Sequence, residues 1–199
     1  MKSLVLGSSS IIKDYVTLTK PRIIVLLLVT ALGGMFMAAN GKPSMNLILL
    51  VFGGGVLASG GANALNHYLD RDIDSRMERT QSRPVAGGRI LPYQALLFGL
   101  VLNLLAFTIF GLFVNILSAF LALSSTLFYV FVYTMGLKRT TPQNIVIGGA
   151  AGAMPPVIGW AAITGSLELE ALYLFSIIFF WTPPHFWALS LLIKDDLGI

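Results

Sequence analysis

Six apolar runs constrain this chain more than any other feature: Ile23–Ala39, Leu47–Leu65, Tyr93–Phe113, Leu117–Leu137, Ile145–Ile163 and Leu172–Ile193. They approach or exceed the roughly 20 residues that a helix rising 1.5 Å per residue needs to cross a hydrocarbon core about 30 Å thick. The expected fold is therefore all-α, a polytopic transmembrane helical bundle. Of the 199 residues 56% are hydrophobic and 11% charged, and the mean hydropathy is +0.82, which would leave a water-soluble domain without a polar surface. No soluble domain fits between the runs, so residues 1–199 read as one membrane-embedded domain. The chain has no Cys, which excludes a disulfide framework, a thiolate metal site and covalent haem attachment. Leu4-Val5-Leu6 is too short to be the apolar region of a cleaved export signal, so the first helix is expected to be retained.

The sequence pI near 9.5 reflects topology rather than nucleic-acid binding, because Lys and Arg gather in the connections and form no continuous stripe. With the N-terminus in the cytoplasm, Lys2, Lys13, Lys20, Arg22, Arg71, Arg76, Arg79, Arg83, Arg89, Lys138, Arg139 and Lys194 lie inside and Lys42 outside. Twelve of the 13 basic residues then obey the positive-inside rule, and the six-span count and the orientation support each other. The expected location is a bacterial plasma membrane, since no Arg- and Ser-rich leader precedes the first span. The outer connections are short, whereas the first cytoplasmic loop runs for about 25 residues from Asn66, a length that marks function in a compact bundle. Gly53-Gly54-Gly55, Gly60-Gly61 and Gly148-Gly149 with Gly152 lie inside spans, where small residues let backbones approach.

Chemistry concentrates in Asn66-His67-Tyr68-Leu69-Asp70-Arg71-Asp72-Ile73-Asp74. On a helix Asn66, Asp70 and Asp74 fall within an arc of about 80°, roughly 6 Å apart per step, and Asn63 joins that face. Asp72 falls on the opposite side. Oxygen donors of this kind suit Mg²⁺, which keeps waters and is completed by substrate phosphates. The same carboxylates could instead pair with Arg71, Arg76 and Arg79 on a solvated loop. The continuation Arg76, Arg79, Arg83 and Arg89 favours the first reading, because Mg²⁺ carboxylates beside forked guanidinium donors form a receptor for a diphosphate. A diphosphate at the end of a membrane-buried groove implies a lipid-tailed substrate such as an isoprenoid, with the active site on the cytoplasmic side.

Thr19-Lys20-Pro21-Arg22, the Asn66 to Asp74 run, Arg79-Thr80-x-x-Arg83-Pro84 with Gly88-Arg89, Lys138-Arg139-Thr140-x-Pro142-Gln143-Asn144 and Thr182-Pro183-Pro184-His185-Phe186-Trp187 together resemble the haem O synthases. These are the protohaem IX farnesyltransferases of the UbiA-type intramembrane prenyltransferases. The resemblance implies farnesyl diphosphate and protohaem IX as substrates, with Mg²⁺ as cofactor and a haem A synthase or oxidase-assembly protein as partner. It assigns Asn66, Asp70 and Asp74 to catalysis and the metal, Arg83, Arg89, Lys138 and Tyr133 to the diphosphate, and Asp195 and Asp196, as a second acidic element, also to the metal. The implied reaction ionises farnesyl diphosphate, joins C1 to a vinyl group of the porphyrin and quenches the resulting cation with water.

The resemblance also sets two departures. Nine helices are expected of the family, so the six here imply a chain incomplete at its C-terminus, and the family's Asp-Asp-Tyr after the sixth span is met only by Asp195-Asp196, with Leu197 in place of the Tyr. Relatives carry a Tyr four residues before the diphosphate-contacting Lys, whereas Tyr133 precedes Lys138 by five. His185, after Pro183-Pro184 in an apolar run, and His67, beside the acidic face, are the candidates for haem contact, each with a buried, hydrogen-bonded role as the alternative. Other functions stay open: a quinone or chlorophyll-type acceptor, a transporter or non-catalytic haem- or cation-binding membrane protein, or a fragment without independent function.

Overall fold

The computed structural model describes residues 8–141 and 143–192, and every regular element among them is a helix. In chain order these are α1 (Ser8–Thr19), α2 (Pro21–Ala38), α3 (Met45–Leu69), the single turn α4 (Arg71–Asp74), α5 (Pro92–Val114), α6 (Ile116–Thr140), α7 (Asn144–Thr164) and α8 (Leu169–Leu192). Five of them, α2, α3, α5, α6 and α7, are long and apolar enough to cross a membrane. They coincide with the first five predicted spans, each shifted by a few residues at its ends. The sixth predicted span falls within α8, whose 24 residues reach roughly 36 Å. Glu170, Pro183, Pro184 and His185 interrupt the apolar sequence of α8, and Ile193 lies outside the described residues.

Local chemistry explains where the helices begin and end. Proline opens α2 and α5, where its missing N–H costs nothing. Asn115 caps α6 by accepting from Ser118 N at 2.8 Å, while its Nδ2 donates to Ala161 O at 2.8 Å and ties the turn to α7. Gly165, at φ 70°, ends α7 in the left-handed conformation that glycine adopts without strain. The helix α1 has no counterpart among the predicted spans. It buries Leu18 and Asp14 and exposes Ile11, Ile12 and Val16, an amphipathic pattern too short to span.

The outer surface of the bundle is apolar: Leu112 is 74% exposed and Phe180 71%, as expected of side chains that meet lipid. Inside, α2 packs on α7 and α3 on α5. Both contacts depend on glycine. A methyl group at Gly159 would run into the carbonyl oxygen of Ala31, and one at Gly34 into that of Pro156, so the α2 and α7 backbones touch. Gly61 and Gly99 bring α3 and α5 together in the same way. Gly53 and Gly152, which by sequence belong with the packing glycines, differ: a methyl group added at either would have nothing within 4 Å among the described residues.

The loop after α4, residues 75–91, is shorter than expected because α3 continues through Asn66 to Leu69. It is also no solvated excursion. Val85 and Ile90 are buried with Leu18 of α1, Ala64 of α3 and Ala95 of α5, so the loop caps one end of the bundle. Gly159→Ala is expected to destabilise the protein by about 1–3 kcal/mol, because the backbone of α2 cannot step aside. Gly152→Ala should be neutral, and unfolding of both variants in mixed detergent micelles measures the difference.

Candidate functional site

At the capped end, two i to i+4 backbone bonds carry the helical register across the turn at Asp70 between α3 and α4: Asp70 N donates to Asn66 O at 2.9 Å and Asp74 N to Asp70 O at 2.8 Å. Asn66, Asp70 and Asp74 therefore share one helical face, as their spacing predicts. That face points into the protein. Asn66 is 3% exposed, Asp70 0% and Asp74 3%, which rules out the solvated-loop reading of these carboxylates. Asp72 points the other way, pairing with Arg139 at 2.9 and 3.0 Å on the exposed side. Those hydrogen bonds hold the Asp72 carboxyl below its ordinary range.

Buried carboxylates need cations, and three long side chains from different parts of the sequence supply them. Arg83, from the loop, donates Nη1 to both oxygens of Asp74 at 2.8 Å. Lys138, from the end of α6, makes a short ion pair with Asp70 Oδ2. Lys20, between α1 and α2, donates to Asn66 Oδ1 at 2.9 Å. Asn66 in turn donates Nδ2 to Asp70 Oδ2 at 2.7 Å and to Thr134 Oγ1 at 3.3 Å. The anticipated partners Arg71, Arg76 and Arg79 do not fill this role, and Arg71 instead donates to Tyr68 O at 2.6 Å and lies over the Tyr68 ring.

By sequence Lys20 is only a topogenic charge and part of a motif. Its backbone, at φ 55° and ψ 65°, is left-handed, an uncommon conformation for a residue other than glycine and one that the proline after it does not favour. That kink separates α1 from α2 and turns the side chain onto α3. Burial, and then the neighbouring Arg83 and Lys138 charges, pull the Lys20 ammonium down to about 8. A lysine directly before a proline at the start of a span is the clue that the sequence offers.

Tyr133 resolves the spacing departure. Residues Phe128–Leu137 are wound as a π-helix, and Lys138 N–H reaches the carbonyl of Tyr133, five residues back. In this winding residues five apart stack one turn above each other, so Tyr133 and Lys138 lie on one face as a four-residue spacing would place them on an α-helix. The Tyr133 ring stacks on Tyr129 at 5.4 Å and packs directly against Gly148, where a side chain would collide with it.

Both tyrosines line a cavity of about 460 Å³ that opens between α2, α3, α6, α7 and α8. It runs along α3 from Asn63 to Val51, and its walls are mostly Leu, Ile, Ala and Gly. Asn63 sits at the mouth and donates to Thr19 O at 3.0 Å. The acidic face thus lies next to the polar end of an apolar groove.

The other predicted residues are placed differently. Arg89 is engaged by Asp14 of α1, with Nε 3.0 Å from both carboxylate oxygens, and donates Nη2 to Ser82 O, so it clamps the loop to α1 rather than facing Asp70. His67 is 2% exposed, and neither ring nitrogen has a hydrogen-bond partner among the described residues. Such burial leaves it no open face for a porphyrin. His185 is exposed on α8, between the rings of Trp181 and Phe186 at 6.0 and 5.9 Å. Asp195 and Asp196 lie outside the described residues.

The donor set suits a hard divalent cation. Asp70 Oδ1 is buried without a hydrogen-bond partner among the described residues, an atom with capacity for a ligand. Asn66, Asp70 and Asp74 offer an amide oxygen and two carboxylates, and no group of three His, Asp or Glu converges among the described residues. Such a set fits an ion whose remaining ligands are water and phosphate oxygens, and does not fit an all-protein cage.

Known proteins resemble this chain strongly. Residues 27–198 match the model of the UbiA prenyltransferase family. A protoheme IX farnesyltransferase of Gloeothece citriformis is 55% identical over 186 residues, covering 94% of this chain and 58% of that protein. The protoheme IX farnesyltransferase of Streptomyces avermitilis is 55% identical over 185 residues, covering 93% and 61%, and that of a Roseiflexus species is 53% identical over 190 residues, covering 96% and 36%. The chain thus spans less than two thirds of the length of these relatives. In three dimensions it superposes on a digeranylgeranylglyceryl phosphate synthase with a TM-score of 0.74 at 23% identity, covering 84% of this chain and 58% of that one, a shared fold. Matched over residues 27–198, this multi-pass membrane chain belongs to the UbiA prenyltransferase family.

Proposed function

We propose that the protein carrying this chain transfers a farnesyl group from farnesyl diphosphate to a vinyl group of protohaem IX, and that residues 1–199 form the first part of one membrane-embedded prenyltransferase domain. The observation that carries this reading is the buried Asn66, Asp70 and Asp74 face, ringed by Lys20, Arg83 and Lys138, one helical turn beyond Asn63, which lines an apolar cavity of about 460 Å³. The identity of 53–55% to proteins named for this activity supports the choice of acceptor.

Asn66, Asp70 and Asp74 would hold Mg²⁺, which when bound neutralises oxygens of the diphosphate. Lys20, Arg83 and Lys138 bind the remaining phosphate oxygens, exchanging the Asn66 amide, the Asp74 carboxylate and the Asp70 carboxylate for substrate. As the C1–O bond breaks, its electron pair leaves on the diphosphate, and these preorganised cations stabilise the charge that grows there. The stacked rings of Tyr129 and Tyr133, at the polar end of the cavity, present π-faces to the allylic cation. The apolar walls hold the prenyl chain and keep water from that cation. The vinyl π electrons then form the new carbon–carbon bond, and water adds to the second cation with loss of a proton. Arg89 supports the site indirectly, holding the loop that carries Arg83 against α1. His185, on the open face of α8, is the residue of this chain offered to the porphyrin. We place the site on the cytoplasmic face of a plasma membrane, because Lys20, Arg83, Lys138 and Arg139 all gather at the capped end.

Membranes holding this chain joined to the C-terminal portion of the Gloeothece citriformis relative should convert labelled farnesyl diphosphate, haem and Mg²⁺ to farnesylated haem. Asp70→Ala should lower the rate on the order of a hundredfold or more. Absence of product from the unaltered protein, or undiminished product from the variant, overturns the assignment.

Lys20 yields a pH prediction. An anion prefers its protonated form, and burial has lowered the pKa to about 8, so diphosphate affinity should fall as pH rises through that value. Bound substrate raises the pKa, so the fall should shift upward in pH once the complex forms. Lys20→Arg stays charged and should lack this limb in a binding titration from about pH 7 to about pH 10. For the orientation, the absence of Cys permits single-cysteine labelling. Lys42→Cys should react with an impermeant maleimide on intact cells, and Arg76→Cys only after the membrane is opened.

A further inference from the structure

The cavity has a definite floor. Its wall on α3 runs from Asn63, at the polar mouth, through Ser59, Ala58 and Gly55 to Val51, and Phe110 closes it there. Phe110 is wholly buried, and the π-wound last turn of α5, Phe110–Val114, begins at this residue. The ring lies flush on Gly54, where an added methyl group would stand 2.7 Å from Phe110 Cε2. Beyond it is closed core, with Met35, Ala119 and Ala162 packed around it. The ring is thus wedged in place between a glycine and the bundle core, at the end of the groove farthest from the charges.

The distance to that floor discriminates among prenyl chains. Asn63 and Val51 are twelve residues apart on one helix, about 18 Å along its axis. Contact distances of about 4 Å between carbon atoms at the blocked end leave roughly 14 Å for carbon. An extended chain advances about 1.2 Å per bond, the value for three-bond backbone units, so the twelve-carbon backbone of a farnesyl group needs about 13 Å and the sixteen-carbon backbone of a geranylgeranyl group about 18 Å. The first fits above Phe110 and the second does not.

We propose that Phe110, seated on Gly54, is the residue that sets the length of the prenyl chain this protein accepts. The inference rests on the diphosphate reading given above and adds its specificity determinant. Removing the ring joins the groove to the space it occupied, so the longer donor gains a place for its last unit. Placing bulk at Ala58, halfway along the same wall, shortens the groove.

The test is competition binding to this chain joined to the C-terminal portion of the Gloeothece citriformis relative, purified in lipid nanodiscs with Mg²⁺, using labelled farnesyl diphosphate against unlabelled geranyl, farnesyl and geranylgeranyl diphosphates. The unaltered chain should favour farnesyl over geranylgeranyl diphosphate. Phe110→Ala should move that ratio toward geranylgeranyl by roughly tenfold or more, the scale on which apolar pockets discriminate added carbon. Ala58→Leu should move preference toward geranyl diphosphate, and this second variant leaves the buried core around Phe110 intact should Phe110→Ala fail to fold. If neither variant shifts the ratio while all bind, the length determinant is overturned and the diphosphate site stands. If the unaltered chain binds no prenyl diphosphate, and inorganic diphosphate does not compete for the site, the functional reading falls and the length determinant with it.

Discussion

Two carboxylates buried at the end of a membrane bundle set the terms for the structure around them. An isolated ionised group at such a place is costly, and the cost is offset only by cations with good geometry. Asp74 is met by Nη1 of Arg83 and Asp70 by Lys138, with Asn66 bridging Asp70 to Lys20. These partners come from the loop, from the end of α6 and from the break between α1 and α2. The pairings therefore draw four separate stretches of chain to one point, and the loop that would otherwise hang in solvent becomes a cap with its own buried residues. A site that must bind a polyanion has positive charge in place before the ligand arrives, held by carboxylates that can release it.

The apolar half of the site is made by the opposite device, the removal of side chains. Gly148 makes room for the Tyr133 ring and Gly54 for Phe110, so glycines set the position of both an aromatic wall at the mouth and an aromatic floor at the far end. Two π-wound segments supply the same rings: Phe128–Leu137 carries Tyr129 and Tyr133, and Phe110–Val114 begins with Phe110. An inserted residue in the i to i+4 ladder rotates the rest of the helix beyond it, and here both rotations lie on helices that border the cavity. The resulting groove is polar at the Asn63 end and apolar at the Val51 and Phe110 end, the polarity that suits an amphiphile with an anionic head.

Particular residues show which parts of this are legible in the sequence. Spacing alone finds Asn66, Asp70 and Asp74, because the helical period is a local property and two i to i+4 bonds keep the register across the turn at Asp70. The same period sets Asp72 apart, and it lies on the far side with Arg139. Arg89 reads as a ligand beside Arg83 because both belong to one basic run, yet Asp14 holds it, and Asp14 lies 75 residues away in the chain. Lys20 does not stand out as a site residue, because its left-handed backbone and its reach to Asn66 depend on α3 being adjacent. Helix α1 is hidden for another reason, since an amphipathic segment of 12 residues lacks the length that reveals a span.

The sequence by itself determined the membrane as solvent, the position and order of the first five spans, and the acidic face, since each depends on hydropathy or periodicity over neighbouring residues. Tertiary structure alone decided which cation meets which carboxylate, that five residues in a π-wound helix bring Tyr133 over Lys138, and that Phe110 lines the groove beside Val51. Those outcomes depend on distances between helices, which are set where Gly34, Gly61, Gly99 and Gly159 allow backbones to touch. A local pattern records which side a residue is on, and only packing records what stands across from it.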